Sequence, residues 1–149
     1  MIRHRSTRTF LKLAVIAILA TGAACDDDTA EPDDEPDVRT IRLTIGTQVF
    51  NQVRGNPTPV TVARGANSLS AIFLRADGQV ETRVTPNEFE LRVTTANNGV
   101  LTFTRSSAFA GVLTGVAAGS TTMTVCLFHL QEGHCEPDVE VTGIAVTVQ

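Results

Sequence analysis

The sequence predicts an all-β domain, an antiparallel β-sandwich, over residues 39–149, preceded by a leader at 1–24 and an acidic linker at 25–38. Three observations predict it. Beyond Val38 the apolar residues recur with a period of two, as in Ile41, Leu43 and Ile45 alternating with Arg42 and Thr44, the signature of a half-buried strand. Turn residues interrupt the pattern at short intervals, at Gly55-Asn56-Pro57, Asp77-Gly78, Asn97-Asn98-Gly99 and Ala118-Gly119, which spaces the strands as a sandwich does. No segment after Cys25 carries an apolar stripe at helical spacing, and many short Val- and Thr-rich strands in one domain argue for two packed sheets.

In chain order, Met1 to Lys12 holds Arg3, Arg5, Arg8 and Lys12 with no acid, and Leu13 to Ala20 is an unbroken apolar run. A basic n-region followed by a short apolar region and small residues is the order of a secretory signal. The apolar run is too short for a spanning helix, which needs about 20 residues. Gly22, Ala23 and Ala24 stand directly before Cys25. This arrangement resembles a bacterial lipoprotein signal, in which cleavage precedes a lipid-modified cysteine, so Cys25 is the candidate lipidation site; ordinary cleavage after Ala23 or Ala24 is the rival. Gly22 stands where that pattern usually has Leu. Two or three acyl chains anchor a protein stably where one does not.

Asp26 to Val38 carries eight carboxylates, two Pro and no aromatic residue. Such a segment buries too little apolar surface to offset its ordering entropy, so a disordered tether is expected. The strands expected after it are Ile41 to Ile45, Gln48 to Val53, Val60 to Ala63, Ser68 to Arg75, Val80 to Val84, Phe89 to Thr94, Gly99 to Thr104, Gly111 to Thr114, Thr121 to Leu130 and Val139 to Val148. The part after Val38 balances eight Arg against eight Asp and Glu. No basic face is available to follow a phosphate backbone, and nucleic acid is excluded as an expected partner. With neither Trp nor Tyr in the chain, the side chains most used to stack on sugars or anchor interfaces are missing.

Several stretches together carry a family resemblance: Pro59 to Gly65, Leu69 to Ala71 with Ala76 to Gly78, Thr94 to Asn97, and above all Gly111 to Val125, where a strand end and a tight Gly turn lead into alternating Thr and apolar residues. They resemble the bacterial Ig-like domain, group 2, familiar from intimin- and invasin-like surface proteins. The resemblance covers most of Pro57 to Gln149 and implies an immunoglobulin-like sandwich with a structural, adhesive or interaction role, its partner another envelope protein or a glycan, and no catalysis. Val93 stands where that family often has a core Trp, and the connection from Cys126 to Glu140 is longer than the family's usual final hairpin.

The densest chemistry lies in Cys126-Leu-Phe-His-Leu-Gln-Glu-Gly-His-Cys135. One reading is a metal site using Cys126, His129, His134 and Cys135, since thiolate and imidazole suit zinc or copper. The other is a Cys126–Cys135 disulfide: in an oxidising compartment, with Cys25 taken by lipid, an even pair remains. A disulfide would stiffen the loop and make His129, Glu132, His134 and Glu136 its candidate binding residues. No cofactor is expected. No nucleophile, base and acid arrangement can be proposed from spacing, so no catalytic residue is assigned. Glu88 and Glu90 are expected on the solvated face of a strand, and no Gly-rich phosphate motif opens a helix.

Overall fold

The computed structural model describes residues 35–149; the leader, Cys25 and the linker up to residue 34 lie outside the described residues. Ten strands follow one another: β1 (Thr40–Ile45), β2 (Gln48–Gln52), β3 (Val60–Val62), β4 (Gly65–Leu74), β5 (Phe89–Thr95), β6 (Leu101–Ser107), β7 (Ala110–Gly115), β8 (Gly119–His129), β9 (His134–Cys135) and β10 (Val141–Val148), with no helix among the described residues. One sheet has the order β2-β1-β4-β7-β6 and the other β3-β10-β8-β5, with β9 added to β8. Leaving out β2, β3 and β9, the strands run A-B-E-D in the first sheet and G-F-C in the second, which is the constant-type immunoglobulin arrangement. All pairings are antiparallel except β3 with β10, where Val60 to Val62 run parallel to Val146 to Val148.

Alternation produces the core. In β1 the buried residues Ile41, Leu43 and Ile45 alternate with half-buried Thr40, Arg42 and Thr44, and β10 buries Val141, Ile144, Val146 and Val148. The break in β10's alternation, between Val141 and Ile144, is a register shift against β8, which re-aims the strand without losing its inward face. The two inner faces meet in one cluster with Leu69, Phe73, Leu91, Leu101, Leu113, Met123, Val125 and Leu127. Leu91 is fully buried on β5 and Val93, partly buried, packs against the same core. Val38, expected at the end of the tether, is 2 % exposed and joins this cluster; packing begins before β1.

Two further expectations are corrected and one strand is added. Val80 to Val84 forms no strand, only an isolated bridge from Val80 to Leu74. Glu81 turns inward there, accepting hydrogen bonds from the backbone N–H groups of its neighbour Arg83 (3.0 Å) and, from 44 residues away, Asp37 (3.2 Å). Strand β9 is an addition that two residues could not announce by periodicity. Glu90 is not solvated but 7 % exposed, because arginines from two strands close over it.

Gly111 and Gly115 explain why the Gly111 to Val125 stretch reads as it does. A Cβ on Gly111 would lie 2.5 Å from both the Phe103 ring and the Thr104 carbonyl oxygen, and one on Gly115 would lie 2.6 Å from the Ala63 carbonyl oxygen. Only glycine permits these strands to approach so closely.

Candidate functional site

The β8–β9 hairpin lies beyond the core end of β8 and carries every residue the sequence nominates for binding. Its turn, residues 130–133, is closed by the Gly133 N–H donating to the His129 carbonyl at 2.9 Å, with Gly133 at φ 77°, a left-handed conformation that glycine adopts without steric cost. Register sets Phe128 opposite Cys135 and His129 opposite His134. Because side chains alternate along a strand, Cys126, Phe128 and Cys135 share the outer face of the hairpin, and Leu127 and His129 the inner one. The Glu136 N–H then donates to the Leu127 carbonyl at 2.8 Å, which carries the pairing one residue past β9.

On the outer face Cys126 and Cys135 form a disulfide with a Cα–Cα separation of 5.7 Å, well inside the span a disulfide bridges. Both sulfurs are therefore consumed, and the four-residue ligand set Cys126, His129, His134 and Cys135 does not assemble. The alternation just described also separates it: the cysteines and the histidines project from opposite faces. The Arg92 guanidinium covers the Phe128 ring at 3.1 Å from its centroid, capping the outer face beside the disulfide.

The inner face brings the nominated polar residues together. His129 Nδ1 lies 3.2 Å from Glu132 Oε1 and 3.6 Å from Glu136 Oε1. Its ring stacks on Phe89, centroids 4.7 Å apart and planes at 23°, so the core of β5 fixes the imidazole's orientation. Sequence reasoning missed Phe89 because nothing in spacing links it to the hairpin. His134, opposite His129 on the same face but half exposed, sets its Nε2 2.7 Å from the other Glu132 oxygen and its Nδ1 3.1 Å from the Cys135 carbonyl. That carbonyl first, and the Glu132 carboxylate after it, hold the His134 pKa above its ordinary value. Burial, reinforced by the charge of Glu35, pushes the Glu136 carboxyl up.

A second polar feature went unnoticed in the sequence. Glu90 pairs with Arg92 on its own strand at 2.9 Å and with Arg105 of β6, in the other sheet. Leu91, Val93, Thr94 and Phe103 complete an open groove of about 360 Å³ around these charges. The spacing Glu90-x-Arg92 was a usable signal, since residues two apart in a strand share a face.

No family model matches the chain, so the narrower expectation of a group 2 bacterial Ig-like domain finds no matching family. No curated protein matches it either. Among solved structures the chain is similar to domains 4 and 5 of the S-layer protein SbsC, with 21 % identity and a TM-score of 0.43, over 76 % of this chain and 53 % of that one. The chain thus spans about half the length of that structure.

Proposed function

We propose that the protein is a cell-envelope lipoprotein of the bacterial type, held to a membrane through acyl chains on Cys25 and displaying one immunoglobulin-like sandwich for a structural, adhesive or protein-interaction role. The Cys126–Cys135 disulfide carries the reading. Stable disulfides belong to oxidising compartments, which is where a basic, apolar and small-residue leader would send the chain. Pairing those two cysteines leaves Cys25 the odd thiol of three, and lipidation accounts for it. Display rather than catalysis is the reading supported by a fold whose loops extend from a rigid two-sheet frame and by a sequence in which spacing proposes no nucleophile and base.

The intact mass of the protein isolated from its own membranes tests this directly. The expected species begins at Cys25, carries two or three acyl chains, and is two hydrogens lighter than the reduced chain. An unacylated chain beginning at Ala24 or Cys25 overturns the anchor, and free thiols at Cys126 and Cys135 overturn the compartment.

A further inference from the structure

We propose that His129, Glu132 and Glu136 form a binding site for a divalent transition-metal cation of the zinc type, on the inner face of the β8–β9 hairpin. This site does not depend on the lipid anchor or on the display role, and it uses neither cysteine.

Geometry comes first. One donor atom from each of the three residues lies within 4.8 Å of the others, and the two measured edges, 3.2 and 3.6 Å from His129 Nδ1, bracket the ligand–ligand edge of about 3.4 Å that tetrahedral coordination with bonds near 2.1 Å requires. The second observation is Glu136 itself. The residue is 7 % exposed and its side chain 10 %, and among the described residues the nearest donor to its carboxylate is His129 Nδ1 at 3.6 Å, beyond hydrogen-bond reach, while its oxygens keep some contact with solvent. Buried carboxylates are ordinarily satisfied by donors or by a cation. Here the group is aimed at an imidazole and a second carboxylate, and a cation satisfies all three at once.

The donor set selects the ion. One imidazole nitrogen with two carboxylates suits a borderline cation, whereas calcium takes six to eight oxygens and magnesium prefers oxygen with retained water. The surroundings supply what such sites use to hold their ligands: Phe89 stacks on the His129 ring, and His134 bonds the remaining oxygen of Glu132, a positioning contact behind a ligand. Three protein ligands leave at least one coordination position for water or for a group from a partner.

Zinc titrated calorimetrically into the full chain, stripped with chelator and kept oxidised, is the test. One Zn²⁺ per chain is expected, with affinity lowered at least about tenfold in both Glu136→Gln and His129→Ala. Glu136→Gln keeps the side chain's shape, and near-ultraviolet circular dichroism verifies its fold. X-ray absorption at the zinc edge of the unaltered protein gives a readout independent of any variant: one imidazole nitrogen and carboxylate oxygens, without sulfur, are expected. No binding by the unaltered chain, unchanged affinity in either folded variant, or sulfur or two imidazoles in the shell overturns the site.

Discussion

Glu81 shows how one side chain can join two distant parts of the chain. Its carboxylate is 3 % exposed and takes two guanidinium bonds from Arg83, at 3.1 and 3.0 Å, besides the two backbone N–H groups. The Arg83 side-chain hydrogen bonds, against the opposing effect of burial, lower its pKa to about 2. An acid depressed in the folded state stabilises fully above its unfolded value, near 4.3, and loses that contribution as pH falls toward 2. The difference in unfolding free energy between the natural protein and Glu81→Gln, followed by urea titration, is expected to be on the order of 2–3 kcal/mol at pH 6 and to shrink steadily between pH 4.5 and 2. Gly111 makes a steric prediction of the same local kind. The 2.5 Å approach to the Thr104 carbonyl is to backbone, which cannot swing aside, so Gly111→Ala is expected to cost about 1–3 kcal/mol in the same titration. Glycine at that position was visible in the sequence as the start of the Gly111 to Val125 stretch, but its cause, the Phe103 ring and a neighbouring backbone, was not.

Among the elements, the β8–β9 hairpin and the segment after it depend most on a covalent tie. Cys126 and Cys135 lie nine positions apart, and closing a loop of that size contributes on the order of 2–3 kcal/mol by loop entropy. The Arg54–Asp138 pair at 2.6 Å, exposed on both sides, adds little, within about 1 kcal/mol. Replacing both cysteines by Ser is therefore expected to lower the melting temperature and to raise amide exchange selectively over residues 130–138, with β1 and β4 keeping their protection; hydrogen exchange with mass detection reads both. Most strands were legible because alternation is a property of the chain alone: β1 to β8 and β10 lie within a few residues of their expected bounds. The site was half legible. Proximity in sequence nominated His129, Glu132, His134 and Glu136, but counting residues does not say which face each occupies, and the grouping of histidines with cysteines failed on that alternation.

At the scale of the whole molecule, the edge strands β5 and β6, one from each sheet, lie across from one another along an open groove. Glu90 and Arg105 span that opening, the acid almost buried and both guanidinium partners about half exposed. No sequence pattern announces such a link, since its partners belong to different sheets and only the folded arrangement brings them together. Losing one arginine leaves Glu90 paired with the other, so Arg92→Ala and Arg105→Ala are each expected to cost about 1 kcal/mol, the value of a partly exposed pair. Arg92→Ala also uncovers the Phe128 ring, which places it at the upper end of that range. Removing both arginines strips a buried carboxylate of every charged partner, a situation far more costly than either single loss. The double variant is accordingly expected to lose more than the sum of the two singles, a coupling of about 1 kcal/mol or more in a double-mutant cycle. Adding Glu90→Gln to the double variant should recover most of that excess, because the neutral amide no longer needs the cations. Strict additivity of the two arginine losses in urea unfolding, or no recovery on neutralising Glu90, means that the open edge is held by the apolar packing of Leu91, Val93 and Phe103 and not by this ion pair.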